Sequence, residues 1–209
     1  MYAPHHFAVT DEAEIQAVLR ALRLGCLTTW SPEAGLQATH MPFLYDAERR
    51  TLNAHMARAN PHWRGAGEGA ALAVFQGVNA YVSPSWYPSK RQHGKVVPTW
   101  NYEAIHVRGR IRWRDEPDWL IAHVSALSDR HEASRAEPWA VSDAPADYIR
   151  NLSAAIVGLD MEIEQVEVTR KLSQNRPLPD RLGVVAGLSA SETETDRAVA
   201  AAMRRVGEA

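Results

Sequence analysis

Cys26-Leu-Thr-Thr-Trp30, then Ser31-Pro-Glu-Ala-Gly35, then Leu36-Gln-Ala-Thr-His-Met-Pro-Phe-Leu-Tyr45 is the stretch that decides the fold. The first run is apolar and β-branched, the second holds the Pro and Gly of a turn, and the third returns as a strand. A β-hairpin is predicted here, and further strand signals extend from it in the downstream direction. Upstream, Thr10-Asp-Glu-Ala-Glu14 opens a helix with a capping hydroxyl and acidic first turn, Ile15, Val18, Leu19 and Leu22 repeat at three and four, and Gly25 ends it. Downstream, a polar turn at 46–50 leads to a strand over 51–56, and Asn60-Pro61 opens a short helix. Strands are expected over 70–76 and 78–83 on either side of Gly77, and a long one over 104–113. The second half mixes helices over 117–131, 147–152 and 191–206 with a long strand over 156–168; Pro177-Leu-Pro179 reads as a rigid exit segment. Consecutive strands with short turns and few helices indicate an α+β chain centred on a small barrel, with flanking helices and a C-terminal helix.

A chain of 209 residues suits one domain with a modest appendage. Its 23 basic and 25 acidic residues nearly cancel, which leaves no overall electrostatic footprint for DNA. No basic recognition helix of the helix-turn-helix kind is evident, and Arg197, Arg204 and Arg205 of the terminal helix read as a solvated face. The single cysteine, Cys26, excludes an internal disulfide framework and a cysteine-based zinc site. The first residues carry no apolar leader region, and no apolar run reaches membrane-spanning length, so a soluble, cytoplasmic protein is expected.

Three segments carry candidate chemistry. Tyr81 to Asn101 interleaves Trp86, Tyr87 and Trp100 with prolines, serines and the cations Lys90, Arg91 and Lys95. That mixture suits either a flat, aromatic, anionic ligand or a long loop packed on a neighbouring subunit. His55-Met-Ala-Arg-Ala-Asn-Pro-His-Trp63 joins a strand end to a helix start, where backbone N–H groups and the Arg58 fork suit an anion; the alternative is that Asn60 merely caps while Arg58 and His62 are solvated. Lys171-Leu-Ser-Gln-Asn-Arg176 is either a solvated strand exit or a row of donors facing a ligand. The nine histidines lack the spacing of a local metal site, although one histidine is enough to ligate haem, with His55 and His62 as candidates. No phosphate-loop, dinucleotide or nucleophile-elbow motif is present.

Taken together, His55–Trp63, Ala80–Tyr87, Val97–Tyr102 with His106–Gly109, and Lys171–Asn175 resemble the PaiB-type proteins, described as FMN-binding negative transcriptional regulators. Weaker echoes lie at Pro138-Trp139, Asp143–Pro145, Ala155–Gly158 and Asp180–Gly183. The resemblance spans residues 1–188 and leaves 189–209 as a helical tail. It implies an FMN-binding split β-barrel, a homodimer with the cofactor at the subunit interface, and a regulatory or ligand-sensing role. By the same resemblance Thr39 and His40 lie along the flavin; Arg58 and Asn60, beside His55, His62 and Trp63, meet the phosphate end. Trp100 and Asn101 come from the partner or the facing loop, and Lys171, Ser173 and Gln174 close the site. Two other classes stay open: a flavin-dependent oxidoreductase acting on a small molecule, and a haem b protein of the piperazate synthase type found among the family's relatives.

Overall fold

The structure is a computed structural model that describes residues 1–207. Seven strands, β1 (Ala8–Val9), β2 (Leu24–Ser31), β3 (Gly35–Asp46), β4 (Thr51–Ala57), β5 (Gly69–Val82), β6 (Thr99–Arg114) and β7 (Ile156–Lys171), form one sheet. Their order is β1-β7-β4-β3-β2-β5-β6, and β7 also pairs with β6, so six strands close into a ring. The helices are α1 (Glu12–Ala21), α2 (His62–Ala66), α3 (Ser89–His93), α4 (Pro117–Glu132), α5 (Ala146–Ser153), α6 (Leu178–Ser189) and α7 (Glu194–Gly207). Among the described residues no helix is long and apolar enough to cross a membrane.

The expected hairpin is β2–β3, antiparallel from Leu24 opposite Pro42 to Ser31 opposite Gly35. The chain divides into two compact units. One comprises residues 16–75 and 107–166 and contains the whole of β2, β3 and β4; its core is built from Leu27, Phe43, Leu52, Phe75, Ile111, Leu159 and Met161, all buried. Phe43 meets Phe75 edge-on at 5.2 Å. Ring closure needs Gly109, since a Cβ there would stand 1.9 Å from the carbonyl oxygen of Glu162 on β7.

The other unit comprises residues 1–15, 76–106 and the chain from Glu167. Its core gathers Val82, Tyr87, Leu172, Val184, Leu188, Val199 and Met203, with Trp86 packed against it. The boundary placed at residue 188 by sequence falls within this unit, because α6 and α7 share that core. One buried face of α7, Val199, Ala200, Ala202 and Met203, lies opposite exposed Arg204 and Arg205.

Three local readings change. The segment expected as two strands around Gly77 is the single strand β5. The rigid exit at Pro177-Leu-Pro179 is the start of α6: proline is tolerated in a first helical turn, where its missing N–H has no intrahelical partner. Trp86 and Tyr87, read as facing either a ligand or a neighbouring subunit, pack in the core of their own unit, Tyr87 being 2% exposed. Trp86 lies flat against α6, where Cβ atoms at Gly187 and Gly183 would stand 2.4 Å from its ring and 2.0 Å from its carbonyl oxygen.

Gly183→Ala should therefore force α6 off Trp86 and destabilise the fold by about 2 kcal/mol, the range of overpacked core sites. Chemical denaturation checks this; an unchanged midpoint would show that α6 does not depend on that contact.

Candidate functional site

Thr39 and His40 are neighbours on β3, and successive strand residues point to opposite faces. The structure sends Thr39 inward and His40 outward, so the two side chains leave on opposite faces. Inward, Thr39 joins a closed network with α2. His62, 2% exposed, sits between two threonine hydroxyls: Thr39 Oγ1 at 2.7 Å from Nδ1 and Thr29 Oγ1 at 2.8 Å from Nε2. Asn60 Nδ2 donates to Thr39 Oγ1 at 3.2 Å, while Asn60 Oδ1 accepts the His62 backbone N–H at 3.0 Å. Because Thr39 Oγ1 accepts from Asn60, its own hydrogen is available to Nδ1, leaving Nε2–H to donate to Thr29. Burial holds the His62 pKa below its ordinary value, so the ring is neutral, as this pattern requires. Asn60, His62 and Thr39 are thus brought together, as a strut tying α2 to β2 and β3. Thr29, the fourth member, carries no sequence signal beyond its place in the hairpin.

Arg58 is committed elsewhere. Its guanidinium donates to the carbonyls of Ala154 (2.8 Å) and Ile156 (2.7 Å) and pairs with Asp115. The ion pair raises the arginine pKa and lowers that of Asp115. These contacts tie the end of β4 to the α5–β7 connection. Trp63 Nε1 donates to the Arg58 carbonyl at 2.9 Å, and Arg64 lies over the Trp63 ring, so Trp63 also serves this turn. His55 stands apart from His62. Its Nδ1 is 3.1 Å from Nε2 of His123 on α4, whose ring stacks on Trp119. Burial lowers both pKa values; that of His123 falls to about 4, with the neighbouring His55 adding to the effect.

The remaining candidates lie in the other unit. Asn101, fully buried, exchanges hydrogen bonds with Ser173 (3.0 and 3.1 Å) and reaches Met203 Sδ at 3.4 Å. Ser173 holds a left-handed backbone with φ 66°, unusual for a residue with a side chain. Lys171 Nζ donates to Thr99 Oγ1 at 2.6 Å and to the Trp100 carbonyl. Gln174 folds back, accepting from Leu172 N and donating to the Arg170 carbonyl, and acts as a local brace. Trp100 is half-exposed; its Nε1 donates to Asn79 Oδ1 at 3.1 Å and its ring meets Tyr81 edge-on at 6.1 Å. Thr99, Asn79 and Tyr81 were not singled out by sequence, although all three lie in or beside the aromatic stretch. Among the described residues no group of three or more His, Cys, Asp or Glu could hold a metal ion.

The family model described as "Putative FMN-binding domain" matches residues 1–165. The protease synthase and sporulation protein PAI 2 of Bacillus subtilis is 30% identical over 207 residues, 97% of this chain and 96% of that protein. Among solved structures, an FAD and haem binding protein from Mycobacterium smegmatis superposes with a TM-score of 0.58 at 15% identity, over 84% of this chain and 78% of that one. The flavocytochrome Anf3 from Azotobacter vinelandii gives 0.57 at 13%, over 79% and 70%. The two structures share the fold.

The His55–His123 pair has a definite pH signature. The unfolded chain binds a proton at His123 near pH 6.5, whereas the folded chain does so only near pH 4. Stability is therefore full above pH 6.5 and falls as pH drops through 6.5 toward 4, by about 3 kcal/mol for His123 alone. Denaturation midpoints at pH 7.5 and 4.5 measure it for the protein and for His123→Gln, in which the fall should be smaller. An equal fall in both would remove His123 as its source.

Proposed function

The chain belongs to the PaiB-type FMN-binding family, and from that membership we propose that it is an FMN-binding homodimer acting as a transcriptional regulator or ligand sensor. The observation that carries the dimer is the outward face of β2 and β3. Leu24, Cys26, Thr28 and Trp30 lie in register with Pro42, His40, Ala38 and Leu36, flanked on β5 by Val74 and Leu72. No Asp, Glu, Lys or Arg interrupts these ten positions. Leu36 is 79%, Leu24 64% and Trp30 62% exposed. A contiguous apolar sheet face of this kind marks an interface, and a second copy of the chain covers it about a two-fold axis.

The cofactor reading also has support in side chains. Trp100 and Tyr81 present aromatic surface to solvent, and Asn79 fixes the indole. Lys171, tethered to the Trp100 carbonyl, sets a cation beside that surface. A held aromatic face next to a held cation fits a planar aromatic group carrying negative charge. When bound, FMN supplies redox chemistry, and the protein's part is to position it and exclude competing reactions. Haem is the second reading, supported by the fold shared with the FAD and haem binding protein from Mycobacterium smegmatis. The rings of His55 and His62 are already engaged with His123 and with two threonines, whereas His40 is one of the exposed histidines and lies on the open face.

The deciding experiment is an absorption spectrum of the purified protein before and after addition of FMN. A flavin double band, or quenched flavin fluorescence on titration, is expected. A Soret band without flavin uptake would move the protein to the haem class. Oxidation of NAD(P)H by the loaded protein would favour an oxidoreductase, and specific DNA retention at moderate salt would favour the regulator.

Light scattering tests the dimer: the protein should run at twice its chain mass, and Trp30→Glu should run as a folded monomer. A cofactor-loaded monomer of the unaltered chain would overturn the interface.

A further inference from the structure

A small pocket of about 70 Å³ lies where the end of β7 meets the start of β6, lined by Thr99, Asn101, Lys171, Ser173, Asn175 and Arg176, with Phe7 as its apolar wall. All six of these side chains are polar, two are cationic, and no carboxylate is among them. Lys171 spends two of its three N–H groups on Thr99 and the Trp100 carbonyl, which leaves one. Among the described residues, no carboxylate lies within ion-pair distance of either Lys171 or Arg176; Arg170, next along the chain, carries the ion pairs to Glu14 and Glu103. The buried carboxylate of the same unit, Asp180, has both oxygens engaged by Ser89.

Holding two like charges together without a counter-charge is unfavourable, and the Lys171 pKa is lowered, first by burial and then by Arg176. The backbone enforces the juxtaposition: the left-handed Ser173 turns the chain, and Arg176 N–H closes the turn onto the Ser173 carbonyl at 3.0 Å. Asn101, without solvent exposure, fixes the Ser173 hydroxyl from the opposite side. The volume is roughly that of two waters in the liquid, or of one tetrahedral oxyanion.

We infer that this pocket is a binding site for a tetrahedral oxyanion of the phosphate class, with Lys171 and Arg176 meeting its charge and Thr99 and Asn175 supplying hydrogen bonds. The phosphate is either a free anion or the terminal group of FMN, and the second source rests on the cofactor reading above. In that case the cationic role expected of Arg58 belongs to Lys171 and Arg176.

Calorimetric titration of the full chain with inorganic phosphate, FMN and riboflavin tests this, with Lys171→Gln and Arg176→Gln alongside. Charge-assisted hydrogen bonds of this kind set the expected loss at roughly ten-fold or more per variant. If FMN is the source, each variant loses FMN affinity by that factor and keeps riboflavin affinity. If a free anion is the source, inorganic phosphate binding is lost and FMN binding is unchanged. Phosphate binding without any flavin binding would keep the pocket and remove the cofactor reading. Should Lys171→Gln fail to fold, Arg176→Gln decides, since it leaves the Thr99 and Trp100 contacts in place. FMN and inorganic phosphate both indifferent to a folded variant would overturn the inference and leave the pocket to water.

Discussion

Side chains at adjacent positions of a strand leave on opposite faces of the sheet, and the character of β2 and β3 follows from where that alternation falls. On one face Thr29 and Thr39 meet His62 and lock α2 against the hairpin. On the other, Trp30, Leu36, Thr28, Ala38 and His40 face outward without a charged residue among them. A shift of one residue in register would exchange the two faces, placing Trp30 inside and His62 without partners. The pairing of Ser31 with Gly35, at the tight turn, is what prevents that shift.

Histidine and arginine serve here chiefly as structure. His62 is neutral and bonded through both ring nitrogens; His55 and His123 are neutral and face each other beneath Trp119. Arg58 answers two carbonyls and a carboxylate. Burial accounts for the histidines: a polar group taken from water is costly unless its hydrogen bonds are replaced, so buried rings are found with partners. Among the described residues, Lys171 and Arg176 differ from Arg58 in having no carboxylate at ion-pair distance, and the two share one pocket.

The motifs that announced the family do different physical work. In the segment ending at Trp63, Asn60 and His62 join the strut while Arg58 and Trp63 secure the turn behind it. In the aromatic stretch, Trp86 and Tyr87 fill a core that α6 and α7 complete, and Trp100 alone of the three keeps an open face. The helix α6 escaped notice because its prolines look like a break and its glycines like a loop. Proline suits the helix's own first turn, and glycine answers to a neighbour outside the segment by letting Trp86 approach.

What the sequence by itself determined is local and periodic. The β2–β3 hairpin, the amphipathic α1, the long strands and the balanced charge are all properties of neighbours along the chain, and periods of 2 and 3.6 report them directly. The conjunction of short motifs likewise carried the family and its barrel. Only the tertiary structure decided which polar groups are spent and which are spare. Asp115, Ala154 and Ile156 lie far along the chain from Arg58, and Thr99 and Asn101 lie some seventy residues from Lys171 and Ser173. Pairing across such separations is set by ring closure and core packing, which leave no period in the sequence to read.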